Sequence, residues 1–178
     1  MANTAIKPSS KHAAFIDYVF SRCEADKGMA ARLKRADNPS TEYQSWELLG
    51  SFGVALEFKN VRLPYATIAA AIAKSDAKAN GALTLGVAIA QCFEEGAQSK
   101  QASVRLRRLL ACSDTTELCQ VLRPLISLIE SRVEAPLNFE RLLRQLTSFW
   151  HDPQKVKATW AQEFYRQLYD EKKQEVQA

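Results

Sequence analysis

The chain of 178 residues is predicted to be all-α, folded as two small packed helical bundles. Three observations predict it. Apolar residues recur at three- and four-residue spacing nearly end to end. Helix-starting and helix-stopping residues punctuate that pattern. Alternating strand patterns are nearly absent: Leu56-Glu57-Phe58 and Val61-Arg62-Leu63 are the only candidates, and both are too short to stand as strands.

The elements follow in order. Phe15, Tyr18, Val19 and Phe20 share a face of a first helix, with Ser9 or Ser10 as its cap. Gly28 is expected to break the chain before a short helix carrying Met29, Leu33 and Ala36. Asn38-Pro39 ends that helix, and Ser40 or Thr41 starts another through Tyr43, Trp46, Leu49 and Leu56. Pro64 reads as the first residue of a helix that stops near Asn80-Gly81. Thr84 caps the next, through Leu85, Ala88, Ile89 and Phe93. Residues 98–111 and 114–133 form two more, the second with Pro124 inside it and a kink or break expected near Arg123. Pro136 and Asn138 precede a helix over Phe139–Trp150, and Asp152-Pro153 opens a last one to about residue 172. The boundary between the bundles is placed at Asn80–Leu83, giving units 1–80 and 81–178 that pack together.

Composition narrows the function classes. Hydrophobic residues make up 47% and charged residues 25%, enough for a real core. A net charge of +4 permits a nucleic-acid partner without requiring one, so the placement of charge decides. Residues 1–12 lack an apolar core, with Lys7, Lys11 and His12 in the way, so no signal peptide is read. No run approaches the roughly 18 apolar residues of a membrane span, and the chain is expected to be cytoplasmic. Cys23, Cys92, Cys112 and Cys119 show no CxxC pairing and read as small buried hydrophobes. His12 and His151 lie far apart, which argues against zinc. Trp46, Trp150, Trp160 and Phe164 fall at core spacing and read as packing residues.

No catalytic constellation is legible, and neither a cofactor nor a metal is expected. P-loop, GxSxG, HExxH and kinase signatures are absent, and Gly50-Ser-Phe-Gly53 is a lone glycine pair. Glu94-Glu95 and Asp114 read as helix-end carboxylates, and His151 beside Asp152 as a polar helix-terminal turn.

The basic residues are better organised. Lys27, Arg32, Lys34 and Arg35 form one segment free of internal acids; Lys100, Arg105, Arg107 and Arg108 form another. On a helical wheel at about 100° per residue, Ala102, Leu106, Leu109 and Leu110 gather on one side. Lys100, Arg105 and Arg108 face the other, with Arg107 at the margin. Arg141 and Arg144 project from a helix whose inner face is Phe139, Leu142, Leu143, Leu146 and Trp150. Arg32/Arg35, Arg105/Arg108 and Arg141/Arg144 thus make three two-guanidinium rungs suited to phosphate.

The C-terminal half also carries an order of motifs. Ser103-Val-Arg-Leu-Arg-Arg-Leu-Leu110 is followed by Glu117-Leu-Cys-Gln-Val-Leu-Arg123, then Pro136-Leu-Asn-Phe-Glu-Arg-Leu-Leu-Arg144 and Val156-Lys-Ala-Thr-Trp-Ala-Gln-Glu-Phe-Tyr165. With Ala31-Arg-Leu-Lys-Arg-Ala36 and Leu85-Gly-Val-Ala-Ile-Ala90 upstream, the chain resembles the small subunit of the type I-E CRISPR surveillance complex, the CasB family of Cascade, over roughly residues 10–168. The resemblance implies two helical bundles without catalytic activity. It implies a dimer along the inner face of an RNA-guided complex, touching its backbone and large subunits, the guide RNA and the opened target DNA with its displaced strand. By motif position it implies nucleic-acid contacts from Lys34, Arg35, Arg105, Arg108, Arg123, Arg141 and Arg144, with Arg107 a weaker candidate. Val87, Ala111-Cys112-Ser113-Asp114 and Pro124 depart from the family pattern. A helical protein–protein adaptor, its arginines facing acidic partner surfaces, is the alternative reading.

Overall fold

A computed structural model of the chain describes residues 10–177. The fold is all-α. Among the described residues there is no strand, only one isolated parallel bridge between Leu83 and Leu137. The helices are α1 (Lys11–Ala25), α2 (Lys27–Arg35), α3 (Trp46–Phe52), α4 (Lys59–Lys74), α5 (Leu85–Gln91), α6 (Lys100–Ala111), α7 (Thr115–Arg132), α8 (Phe139–Ser148) and α9 (Pro153–Gln177), with short 3-10 turns at Glu42–Ser45 and Gly96–Gln98.

Helix α4 is the centre of the first bundle. Every residue from Leu63 to Ala73 is buried, and the run of alanines lets α1, α2, α7 and α8 approach it closely. The second bundle sets α9 across α5, α6 and the Gly96–Gln98 turn. One apolar core runs through both, from Phe15 and Leu33 to Trp160 and Phe164. Helices α7 and α8 seat on α4, so the segments 1–80 and 81–178 pack against each other.

Several boundaries are set by local hydrogen bonds. Ser10 caps α1 by accepting from the Ala13 N–H at 3.0 Å; Ser9, the other candidate, lies outside the described residues. The break between α1 and α2 falls at Asp26, not Gly28. Asp26 is extended and its carboxylate accepts from the Met29 N–H at 2.9 Å, which also holds its carboxyl below the usual range. Gly28 sits inside the first turn of α2.

Other helix boundaries are corrected. Helix α3 stops at Phe52, short of Leu56, because Gly53 takes a left-handed conformation at φ 88° and closes the end. Helix α4 begins five residues before Pro64 and ends at Lys74, where Ser75 turns extended. Gly81 is therefore no helix stop. Its N–H donates to the Leu137 carbonyl at 2.9 Å, and a Cβ there would lie 1.8 Å from the Pro136 oxygen, so the loop can dock only as glycine. Helix α7 runs unbroken through Pro124. Gln120, whose carbonyl forfeits its donor, and Pro124 itself are both exposed, so the missing bond faces water. The last helix continues to Gln177, beyond residue 172.

Burial also sorts the other expectations. Cys92, Cys112 and Cys119 are buried and Cys23 is half-buried, all as free thiols. Burial pushes the Cys119 thiol up to about 11. Trp160 and Phe164 are core residues, but Trp150 is 61% exposed and Phe149 takes the inward position beside it. Trp46 is likewise 40% exposed, its indole N–H on Glu42 and its ring under the Arg62 guanidinium. Among the described residues no helix is long and apolar enough to cross a membrane.

Candidate nucleic-acid interface

Helix α6 starts at Ser99, whose hydroxyl accepts from the Ala102 N–H at 3.4 Å. Ala102, Leu106 and Leu109 are buried, which fixes the rotation of the helix against α5, α7 and α9. The outward arc then carries Lys100, Val104, Arg105, Arg107 and Arg108, with Arg105 half-buried and the rest exposed. Lys100, Gln101, Val104, Arg105 and Arg108 line a shallow groove of about 310 Å³. Arg107 lies on this exposed arc and donates from Nε to the Ser103 carbonyl at 3.4 Å.

No carboxylate among the described residues pairs with these four cations. Arg108 also lies in the last turn, where the helix dipole favours positive charge. Arg105 and Arg132 both lower the Cys92 thiol against the upward effect of its burial. Lys157 and Arg108 do the same at Cys112, which burial and then Glu117 raise.

The other sequence candidates are placed differently. Arg141 Nη2 is 2.8 Å from Glu163, and Arg144 Nη2 is 3.4 Å from Glu140. Arg32 pairs with Glu47 at 3.2 Å. Those two rungs are thus not free of acids. Lys34 is exposed and unpaired among the described residues, while Arg35 donates to Gln44 at 3.0 Å. Arg123 is only 8% exposed and faces Asp37 at 3.6 Å, inside the fold and not on a basic surface. The Glu140–Arg144 pair sits at four-residue spacing and is readable from sequence. Glu163, Glu47 and Asp37 come from other elements and carry no local signal.

Glu163 is the residue that sequence reasoning missed most. One oxygen takes Arg141, and the other accepts from the Gly86 N–H at 3.1 Å. It thereby caps α5, because the Thr84 hydroxyl makes no cap bond. Glu163→Gln is expected to destabilise the fold by about 1.5–3 kcal/mol, the range for hydrogen bonds to a charged group. Urea unfolding checks this, and an unchanged midpoint would remove Glu163 from that role.

Arg144 has an electrostatic consequence at His12, which contacts the Thr147 hydroxyl at 3.1 Å. The His12 imidazole is held below its ordinary value of 6.5 by burial first and then by Arg144, with Glu140 opposing. The fold thus favours neutral His12. Its contribution is intact above 6.5 and is lost as pH falls from there through the lower folded-state value. In a proton NMR titration His12 is expected below 6.5, and Arg144→Ala should move it upward. No movement would mean that Arg144 does not act on the ring.

The family model for CRISPR-associated protein Cse2 matches residues 29–165, a span that contains all of α6. No curated protein sequence matches the chain. Among solved structures, the crystal structure of M. ruber CasB is 28% identical, with a TM-score of 0.73 over 92% of this chain and 97% of that one. The crystal structure of CasB from Thermus thermophilus is 23% identical, with a TM-score of 0.69 over 88% and 98%. A chain of a CRISPR RNA-guided surveillance complex is 22% identical, with a TM-score of 0.72 over 92% and 96%. At these last two identities the likeness is one of fold.

Proposed function

The chain belongs to the CRISPR-associated Cse2 family, and from that premise we propose that it is a non-catalytic subunit of an RNA-guided surveillance complex that holds nucleic-acid backbone along α6. The observation that carries this is the ridge of Lys100, Arg105, Arg107 and Arg108, four cations on one helix with no paired carboxylate among the described residues. Arg105 and Arg108, three residues apart, repel each other, so an anionic partner would stabilise the ridge. Guanidinium groups engage phosphate oxygens bidentately and stay charged at physiological pH.

Such a surface has a physical use. Opening a DNA duplex against a guide RNA is close to energetic balance. A cationic track that holds the displaced strand tips the balance without chemistry and without reading bases. In this reading the complex's backbone and large subunits, the guide RNA, the target DNA and a second copy of this chain are the partners.

The test compares wild type with the variant carrying K100A, R105A, R107A and R108A. Binding to mixed-sequence single-stranded DNA is measured against salt concentration. Each lost phosphate contact should lower the log–log slope by about 0.7, or about 2.8 for all four, equally for every sequence. The melting temperature should hold or rise, since alanine favours helix and the repulsion is gone. An unchanged slope in a folded variant would hand the ridge to an acidic protein surface.

A further inference from the structure

Helix α9 sorts its charges by side. Trp160 and Phe164 are fully buried and fix its inner face. Three of its carboxylates are taken up by the fold. Glu163 accepts from the Gly86 N–H and from Arg141, Glu171 accepts from the Ala97 N–H at 2.9 Å, and Glu175 accepts from the Gln98 side-chain amide at 3.0 Å. On a wheel at about 100° per residue, Lys155, Arg166, Lys172 and Lys173 fall on the opposite arc with Tyr165 and Tyr169, and all six are exposed. No carboxylate among the described residues pairs with these four cations. Of the acids on the helix only Asp170 borders the arc, so four cations against one carboxylate leave a net charge of +3.

Tyr165 is 48% exposed and Tyr169 68%, and they stand one helical turn apart, about 6 Å along the axis. That is nearly twice the roughly 3.4 Å rise per base of a duplex strand, so the two rings suit bases splayed from an unpaired strand. A groove of about 840 Å³ runs beside this face, with Val87, Gln162, Tyr165 and Arg166 in its lining. The charged side chains there, Arg141 and Arg166 against Glu163, also leave one positive charge. The mixture suits nucleic acid better than protein. Lysine is depleted from protein–protein interfaces, and three of the four cations are lysines. Interleaved cations and aromatic rings are what a single strand uses, phosphates on the first and base faces on the second. We propose that the outer face of α9 binds single-stranded nucleic acid, with its cations on the phosphates and Tyr165 and Tyr169 against bases.

This face lies on a different helix from the α6 ridge and adds base contact to backbone contact, so the two readings fail independently. The full chain carrying K100A, R105A, R107A and R108A takes the ridge out of the measurement. Its binding to oligo-dT is followed by fluorescence anisotropy, beside an abasic strand of equal length and a polyglutamate peptide. Oligo-dT is expected to bind, with the abasic strand and polyglutamate about tenfold or more weaker. Adding Tyr169→Ala should weaken oligo-dT about tenfold and leave the abasic strand unchanged, whereas Tyr169→Phe keeps the stacking ring and should bind oligo-dT as before. Adding K155A, R166A, K172A and K173A should instead lower the salt slope for both strands, by about 0.7 per lost contact. Tyr165 also packs edge-on against Phe164 at 5.4 Å, so Tyr169 carries the test, and its loss should leave the melting temperature unchanged. The proposal is overturned by absent oligo-dT binding, by equal affinity for the abasic strand or for polyglutamate, or by undiminished oligo-dT affinity in a folded Tyr169→Ala protein.

Discussion

Gly86→Val is expected to destabilise the protein by about 3 kcal/mol or more, at the upper end of overpacking effects. Gly86 lies in the first turn of α5, where α9 crosses over it. A Cβ at this position would sit 2.5 Å from the Trp160 carbonyl oxygen, 2.6 Å from the Glu163 Cβ and 2.9 Å from the Phe164 nitrogen. Two of these atoms are backbone within a helix, so relief requires α9 to move as a whole. The same displacement carries Glu163 away from the Gly86 N–H and from Arg141, breaking both of its bonds. A domain's whole stability is about 5–15 kcal/mol, so the loss is a large share of it. The urea midpoint of the variant measures it, with Gly86→Ala as the smaller step. A valine variant that unfolds at the wild-type midpoint would show that α5 and α9 are not held at this distance.

Trp160→Ala is expected to cost about 3–5 kcal/mol, the range for emptying a buried aromatic site. Trp160 is fully buried on the inner face of α9, and its indole N–H donates to the Gln145 side-chain oxygen at 2.9 Å. Alanine removes the ring's packing between the two bundles and leaves the Gln145 oxygen without its donor. Trp160→Phe keeps part of the aromatic packing but loses the donor and a third of the ring atoms, so it should cost less than alanine, about 1–3 kcal/mol. The difference between the two midpoints reads what the remaining ring contributes. Equal losses would show that a phenyl ring recovers none of the packing at this site.

Both changes bear on the proposed function through α6. The ridge rests on α5, α7 and α9, so its cations keep their alignment only while that seam is closed. Gly86 and Trp160 lie within Leu85-Gly-Val-Ala-Ile-Ala90 and Val156-Lys-Ala-Thr-Trp-Ala-Gln-Glu-Phe-Tyr165, two of the segments that carried the family resemblance. The structure shows that these two segments meet each other at Gly86 and Trp160.

The sequence by itself determined the helical class, the inward stripe of helices such as α6 and the family. These are local matters. A cap such as Asn138 bonds three residues ahead, to the Arg141 N–H at 2.9 Å, and the apolar stripe of α6 recurs within two turns. The outward direction of Lys100, Arg105 and Arg108 follows from the inward direction of Ala102, Leu106 and Leu109, so that ridge was legible before any packing was known. Even local reading slipped where two signals competed, as at Gly28 and Asp26, or at Pro124 within an otherwise unbroken helix.

Only the tertiary structure decided which cations are free. Arg123 lies 86 residues from Asp37, and Arg141 lies 22 from Glu163. Wheel geometry gives the direction of a side chain but not what waits there, because the counter-charge arrives on another helix. The same limit governs Trp46 and Trp150, whose spacing matched the core while other residues filled it. Helical periodicity is fixed by bonds a few residues long, whereas pairing and burial are fixed by which helices come to lie side by side.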